Sequence, residues 1–178
     1  IDELHINENG HSRILVKLLQ YRSDNGKYVF LESLLNYIIS TKRKDFPDRV
    51  EKPEISQEAE RIDMWVRDKQ FALIMENKAC GAVDQETQIF RYIEKTRNRG
   101  YTDEQIFVIY LPPTDDKEPS DDSWNGLKEE YTKRYVKLSF REDIIKWIDN
   151  YVLPNICYKD NLLLTAIIQY CDYLKETT

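Results

Sequence analysis

Long apolar runs are missing from this chain. No stretch of about 18 apolar residues occurs, so a membrane-spanning helix is not expected. Histidine is scarce: the only two, His5 and His11, lie near the N-terminus. That argues against a His-rich metal centre and against a Ser-His-Asp triad drawn from distant segments. The three cysteines, Cys80, Cys157 and Cys171, are odd in number and lack metal-site spacing. They read as free thiols in a reducing compartment, and the expected location is cytoplasmic. No signal peptide is expected at the opening Ile-Asp-Glu-Leu. No internal repeat or low-complexity tract is visible. Net positive charge is absent too. The formal charge is −6, and residues 1–99 balance 17 Lys/Arg against 17 Asp/Glu, whereas residues 100–178 carry 9 against 15. The overall sign argues against nucleic acid as a partner, but leaves room for a local basic groove in the first half.

What is present supports a folded core: 178 residues, 41% of them hydrophobic and 33% charged. The richest stretch is 61–78, RIDMWVRDKQFALIMENK. Two strand-like runs flank a polar break, Arg67-Asp68-Lys69-Gln70, of the length a tight hairpin needs. Side chains alternate faces along a strand, so Ala72, Ile74, Glu76 and Lys78 share one face, and Asp63 shares its face with Arg61 and Trp65. A turn near 68–70 sets Asp63 opposite Glu76 or Lys78, where cross-strand neighbours lie about 5 Å apart. Two carboxylates and a lysine then converge at the end of a buried strand, which is equipment for binding a divalent metal and activating water.

Along the rest of the chain, apolar periodicity predicts helices over 11–19, with Asn7 or Asn9 as cap, and 29–39. A short strand is expected within 49–55, then strands over about 60–67 and 71–77. Asp84 is the expected N-cap of a helix ending near Arg99, before Gly100. A buried strand follows at 106–111, closed by Pro112-Pro113. Residues 114–125 read as a polar loop, 128–134 as a helix, 135–140 as a strand, and 141–151 and 161–174 as helices. The order α, α, β, β, β, α, β, (α), β, α, α suggests a mixed sheet flanked by helices.

This pattern resembles the PD-(D/E)XK nuclease superfamily, the restriction-endonuclease-like fold. The residues that carry the likeness are Arg61-Ile62-Asp63, the strand Leu73-Ile74-Met75, Glu76-Asn77-Lys78, and Gln88-x-x-x-Tyr92. The segment Asn7-Glu8-x-x-His11-Ser12, followed by Leu15 and Leu18-Leu19, is similar to a bacterial and phage-associated branch. The likeness covers residues 7–111 closely and the remainder loosely. Ile62 stands where the superfamily's name has proline, which removes no ligand.

The resemblance implies a single α/β domain over 1–178, with a restriction-endonuclease-like mixed central sheet. N-terminal helices would occupy 1–45, the sheet core with the site 49–140, and a helical C-terminal extension 141–178. It implies a metal-dependent nuclease acting on nucleic acid, with DNA expected and RNA the alternative. Asp63 and Glu76 would be metal ligands together with the backbone carbonyl of Asn77, and Glu8 is a candidate further ligand. Hard oxygen donors favour Mg²⁺ or Mn²⁺. Lys78 would stay protonated and orient the attacking water. Gln88, Tyr92, Arg91 and Lys95, with Arg99 beyond them, would grip the phosphate backbone from one helix face. A homodimer is expected where both strands must be cut.

Plainer readings stand beside these. Taken singly, Asp63 and Glu76 are strand-end charges in surface ion pairs. Glu8 and His11 brace the first helix. Cys80 is a small packing residue rather than a nucleophile. Trp65, Trp124 and Trp147 are core residues. A non-cleaving nucleic-acid- or protein-binding module on the same fold is the second functional reading, and an unrelated α/β domain is the third.

Overall fold

A computed structural model describes residues 6–156 and 160–178. His5 and Cys157 lie outside the described residues. The first two elements are helices, α1 (Glu8–Leu19) and α2 (Val29–Thr41). Asn7, not Asn9, caps α1: its side chain accepts from the Gly10 N–H at 2.9 Å. Three antiparallel strands follow, β1 (Glu54–Ala59), β2 (Ile62–Arg67) and β3 (Ala72–Asn77). Helix α3 (Gln88–Arg97) then crosses to β4 (Ile106–Leu111), which lies parallel to β3. A short α4 (Asp121–Trp124) precedes a three-residue β5 (Tyr135–Lys137), parallel to β4. The chain is helical over 140–152, with π-type turns at Phe140–Ile144 and Ile148–Val152 around α5 (Ile145–Trp147). It ends on α6 (Asn161–Thr177). The mixed sheet runs β1-β2-β3-β4-β5.

Alternation along the central strands sorts the core into two layers. Met64, Val66, Leu73, Met75, Phe107, Ile109 and Leu111 pack against α1, α2 and the C-terminal helices. Trp65, Ile74, Ile106 and Val108 pack with Ile89, Tyr92 and Ile93 of α3 and with Trp124 and Tyr131. All three tryptophans are fully buried. Every residue of β3 and β4 is buried, as expected of central strands covered on both faces. No helix among the described residues is long and apolar enough to cross a membrane.

Element order and type follow the sequence expectation, but several boundaries move. The strand expected within 49–55 starts only at Glu54 and runs on to Ala59. The amides of Glu51 and Lys52 instead donate to the buried Asp68 carboxylate at 2.7 and 3.0 Å, and Pro53 has no N–H to offer. Segment 128–134 forms consecutive turns, not a helix. It follows Asn125 and Gly126, both at positive φ, and it carries Tyr131 inward, where its hydroxyl reaches Asp103 at 2.8 Å. The polar loop at 114–125 contains α4, and the strand expected over 135–140 stops at Lys137. Asp84 is not a helix cap. The residue before α3 is Thr87, in left-handed conformation and making no capping bond, and the helix ends at Arg97 rather than Arg99.

Candidate active site

The β2–β3 hairpin turns at Lys69-Gln70, with the Asp68 N–H donating to the Phe71 carbonyl at 2.8 Å. Its register pairs Arg67 with Ala72, Trp65 with Ile74 and Met64 with Met75. Continued by one step, it sets Asp63 beside Glu76. The two carboxyls are close enough that the Asp63 charge acts on Glu76. The Asn77 N–H donates to Asp63 Oδ2 at 2.9 Å and fixes that carboxylate at the hairpin's open end.

Glu76 is almost completely buried. Lys78 Nζ lies 2.8 Å from its Oε1, while Oε2 has no hydrogen-bond partner among the described residues. Burial and the neighbouring Asp63 push the Glu76 carboxyl up to about 8. Burial also raises Asp63, against the Asn77 N–H and the Lys78 ammonium, with Glu8 adding to the rise. Burial alone would lower Lys78, but Glu76, Asp84 and Glu8 outweigh it and hold the amine charged. The expectation of a protonated lysine therefore agrees with its surroundings.

Gln88 and Tyr92 come to this cluster as buried residues, not as a solvated helix face. Gln88 accepts from Lys78 Nζ at 3.2 Å through Oε1 and donates to the Tyr92 hydroxyl at 3.0 Å through Nε2. They lie beside Ile89 and Ile93 on one broad buried face. Arg91 and Lys95 sit at the rim. Arg91 donates to Gln85 Oε1 at 3.1 Å, and Lys95 reaches the Glu60 carbonyl and lies 5.7 Å from the centre of the Tyr92 ring. Arg99 pairs with Glu60, away from the helix stripe. An open cleft of about 620 Å³ is lined by Asp63, Gln88, Tyr92, Arg91 and Lys95, with Arg61 at its edge.

Alternation sends Asn77 to the opposite face. Its side-chain amide donates to the Glu8 carbonyl and to Ser12 Oγ, both at 2.8 Å, tying the end of β3 to α1. Glu8 is half-buried, and its Oε1 accepts from the Ala82 N–H at 3.3 Å. Its charge is felt at Asp63, but among the described residues no three His, Cys, Asp or Glu side chains gather into a metal-binding set. His11 is bracing: it is buried, bonds the Tyr170 hydroxyl through Nδ1 at 2.9 Å, and burial lowers it to about 4. Cys80 is exposed, which corrects the packing role, and partial desolvation together with the nearby Glu8 raises its pKa, the reverse of an activated nucleophile.

Sequence reasoning passed over one member of the cluster, Asp84. It lies 3.8 Å from Lys78 Nζ and accepts from the Tyr110 hydroxyl at 3.1 Å and the Ser120 N–H at 2.9 Å. Its setting, Asp-Gln-Glu before a helical run, looked like a cap and masked its partners. Tyr110 was recoverable, because β4 pairs it with Glu76 on the same face.

A family model described as the PD-(D/E)XK nuclease superfamily matches residues 2–172, well beyond the segment that carried the likeness by inspection. No curated protein and no solved structure matches the chain.

Proposed function

The chain belongs to the PD-(D/E)XK nuclease superfamily, and from that premise we propose that it is a divalent-metal-dependent nuclease, with DNA as its substrate. The observation that carries the reading is the Asp63–Glu76 pair. Glu76 is buried beside the partly exposed Asp63, whose charge raises its pKa, and among the described residues one oxygen, Glu76 Oε2, lacks any partner. Burying such a pair without compensation is unfavourable, and a hard cation is the compensation its donor chemistry fits. Asp63 and Glu76 would hold Mg²⁺ or Mn²⁺, aided by the Asn77 carbonyl. The cation would polarise the scissile phosphate and acidify the attacking water.

Lys78 supplies a fixed positive charge beside that site. Its ammonium is held by Glu76 and Gln88, so it serves to orient water and to offset charge that develops on the phosphate, not to act as a free base. Tyr92 holds Gln88 in turn, and that chain fixes where the ammonium points. Arg91 and Lys95, which line the cleft, would contact flanking phosphates.

The test is incubation of plasmid, single-stranded DNA and RNA with the protein and Mg²⁺ or Mn²⁺. Cleavage is expected with metal, none with chelator, and a loss of at least about a hundredfold in Lys78→Ala with the fold retained. Binding without cleavage by the wild type would leave a non-catalytic binding module on this fold.

A further inference from the structure

Between β1 and β2 the chain reverses in two residues, Glu60 and Arg61, with the Arg61 N–H donating to the Glu58 carbonyl at 3.3 Å. Glu58, Glu60 and Arg61 all have left-handed backbone, at φ 51°, 55° and 67°. A two-residue hairpin of this kind favours Asn-Gly or Gly-Gly, because a Cβ is disfavoured at positive φ. Here both central positions carry long charged side chains. The hairpin is clamped to α3 by Lys95 on the Glu60 carbonyl, and to the residues just after that helix by the Arg99–Glu60 ion pair.

Arg61 differs from the other cations at the cleft. Arg91 is engaged by Gln85 and Lys95 by Glu60. Arg61 lines the same cleft and is exposed, and its side chain makes no hydrogen bond or ion pair with the described residues. It stands two residues before Asp63, in the turn that leads into the strand carrying that carboxylate. Glu58 and Asp63 face the same space, so an arginine left without a partner there is set for a ligand that brings its own negative charge and planar oxygens.

We infer that the β1–β2 hairpin tip is a phosphate-contact device. Arg61 binds a backbone phosphate next to the scissile one, and its left-handed conformation is kept for that contact at the expense of stability. Strain retained at a ligand-facing residue is the pattern this fits. The inference rests on the nuclease reading and adds a residue to it.

The experiment is fluorescence anisotropy of a labelled short DNA duplex, with Ca²⁺ in place of Mg²⁺, across a salt series. The variants are Arg61→Ala, Arg61→Gly and, as a charge control, Lys133→Ala, an exposed lysine on the turn before β5. Thermal unfolding is recorded for each. Arg61→Ala and Arg61→Gly are expected to bind about tenfold more weakly and to lower the salt slope by about one, whereas Lys133→Ala leaves both unchanged. Arg61→Gly is also expected to unfold at a higher temperature than wild type, since glycine accepts the left-handed backbone freely. Duplex binding by the wild type with an unchanged slope in Arg61→Ala overturns the inference and spares the nuclease reading. A lower melting temperature in Arg61→Gly overturns the claim of retained strain. Absence of both binding and cutting in the wild type removes the nuclease reading, and this inference with it.

Discussion

The carboxylate of Glu76 occupies a poor place for a negative charge. It is 1% exposed, lies beside Asp63, and has one oxygen with no donor among the described residues. Lys78 compensates one oxygen only. Without a cation, the pair should therefore weaken the fold. Asp63→Asn keeps an oxygen for the Asn77 N–H but removes the repulsion. In chelator it is expected to gain about 1 kcal/mol in urea unfolding, a rise of a few degrees in Tm, while losing activity. Equal or lower stability would mean that the pair is already balanced by its surroundings. His11 gives a separate, pH-dependent expectation. Burial lowers it to about 4 from an ordinary 6.5. A base depressed by folding contributes stability above its unfolded pKa and loses it as pH falls through the folded one. Unfolding free energy should thus drop by about 3 kcal/mol between pH 6.5 and 4 on account of this residue. His11→Gln should flatten that window, and an unchanged slope would show that other groups dominate.

At the level of elements, β3 places the site. Six buried residues end in Glu76 and Asn77, and alternation turns one toward Lys78 and Asp63 and the other to α1. Asn77→Ala strands the buried Ser12 hydroxyl, takes a donor from the Glu8 carbonyl and frees the Ala79 N–H, from which the Asn77 side chain accepts at 2.9 Å. A loss of about 2–3 kcal/mol in denaturant midpoint analysis is expected, with metal affinity also reduced as the strand end loosens. A loss below about 0.5 kcal/mol would show that α1 does not anchor the site. These features were open to reading from sequence, because period-2 alternation and a hairpin of known length determine which side chains meet. The β1–β2 hairpin was not, since Glu60-Arg61 carries none of the usual turn residues. Asp84 and the π-type turns around α5 were hidden for a related reason: their partners, Tyr110, Ser120 and the C-terminal helical packing, are remote in sequence, and local pattern is blind to them.

Across the whole molecule, the two faces of the sheet have different tasks. One is closed by α1, α2, α5 and α6 into a continuous apolar layer. The other is closed by α3 and α4 only in part, and the cleft opens where that cover ends, over Asp63. The net charge of −6 concealed this site, because its cations, Arg61, Arg91 and Lys95, line one local cleft while the acidic excess lies in the second half of the chain. Cation binding should stabilise the entire fold, by about 2.7 kcal/mol at a hundredfold excess over the dissociation constant. The most direct measurement is calorimetric titration of Mn²⁺ into metal-free wild type and into Asp63→Asn. Saturable binding to the wild type that is lost in the variant is the expected result. No binding to either, or equal binding to both, would contradict a metal site at Asp63 and Glu76.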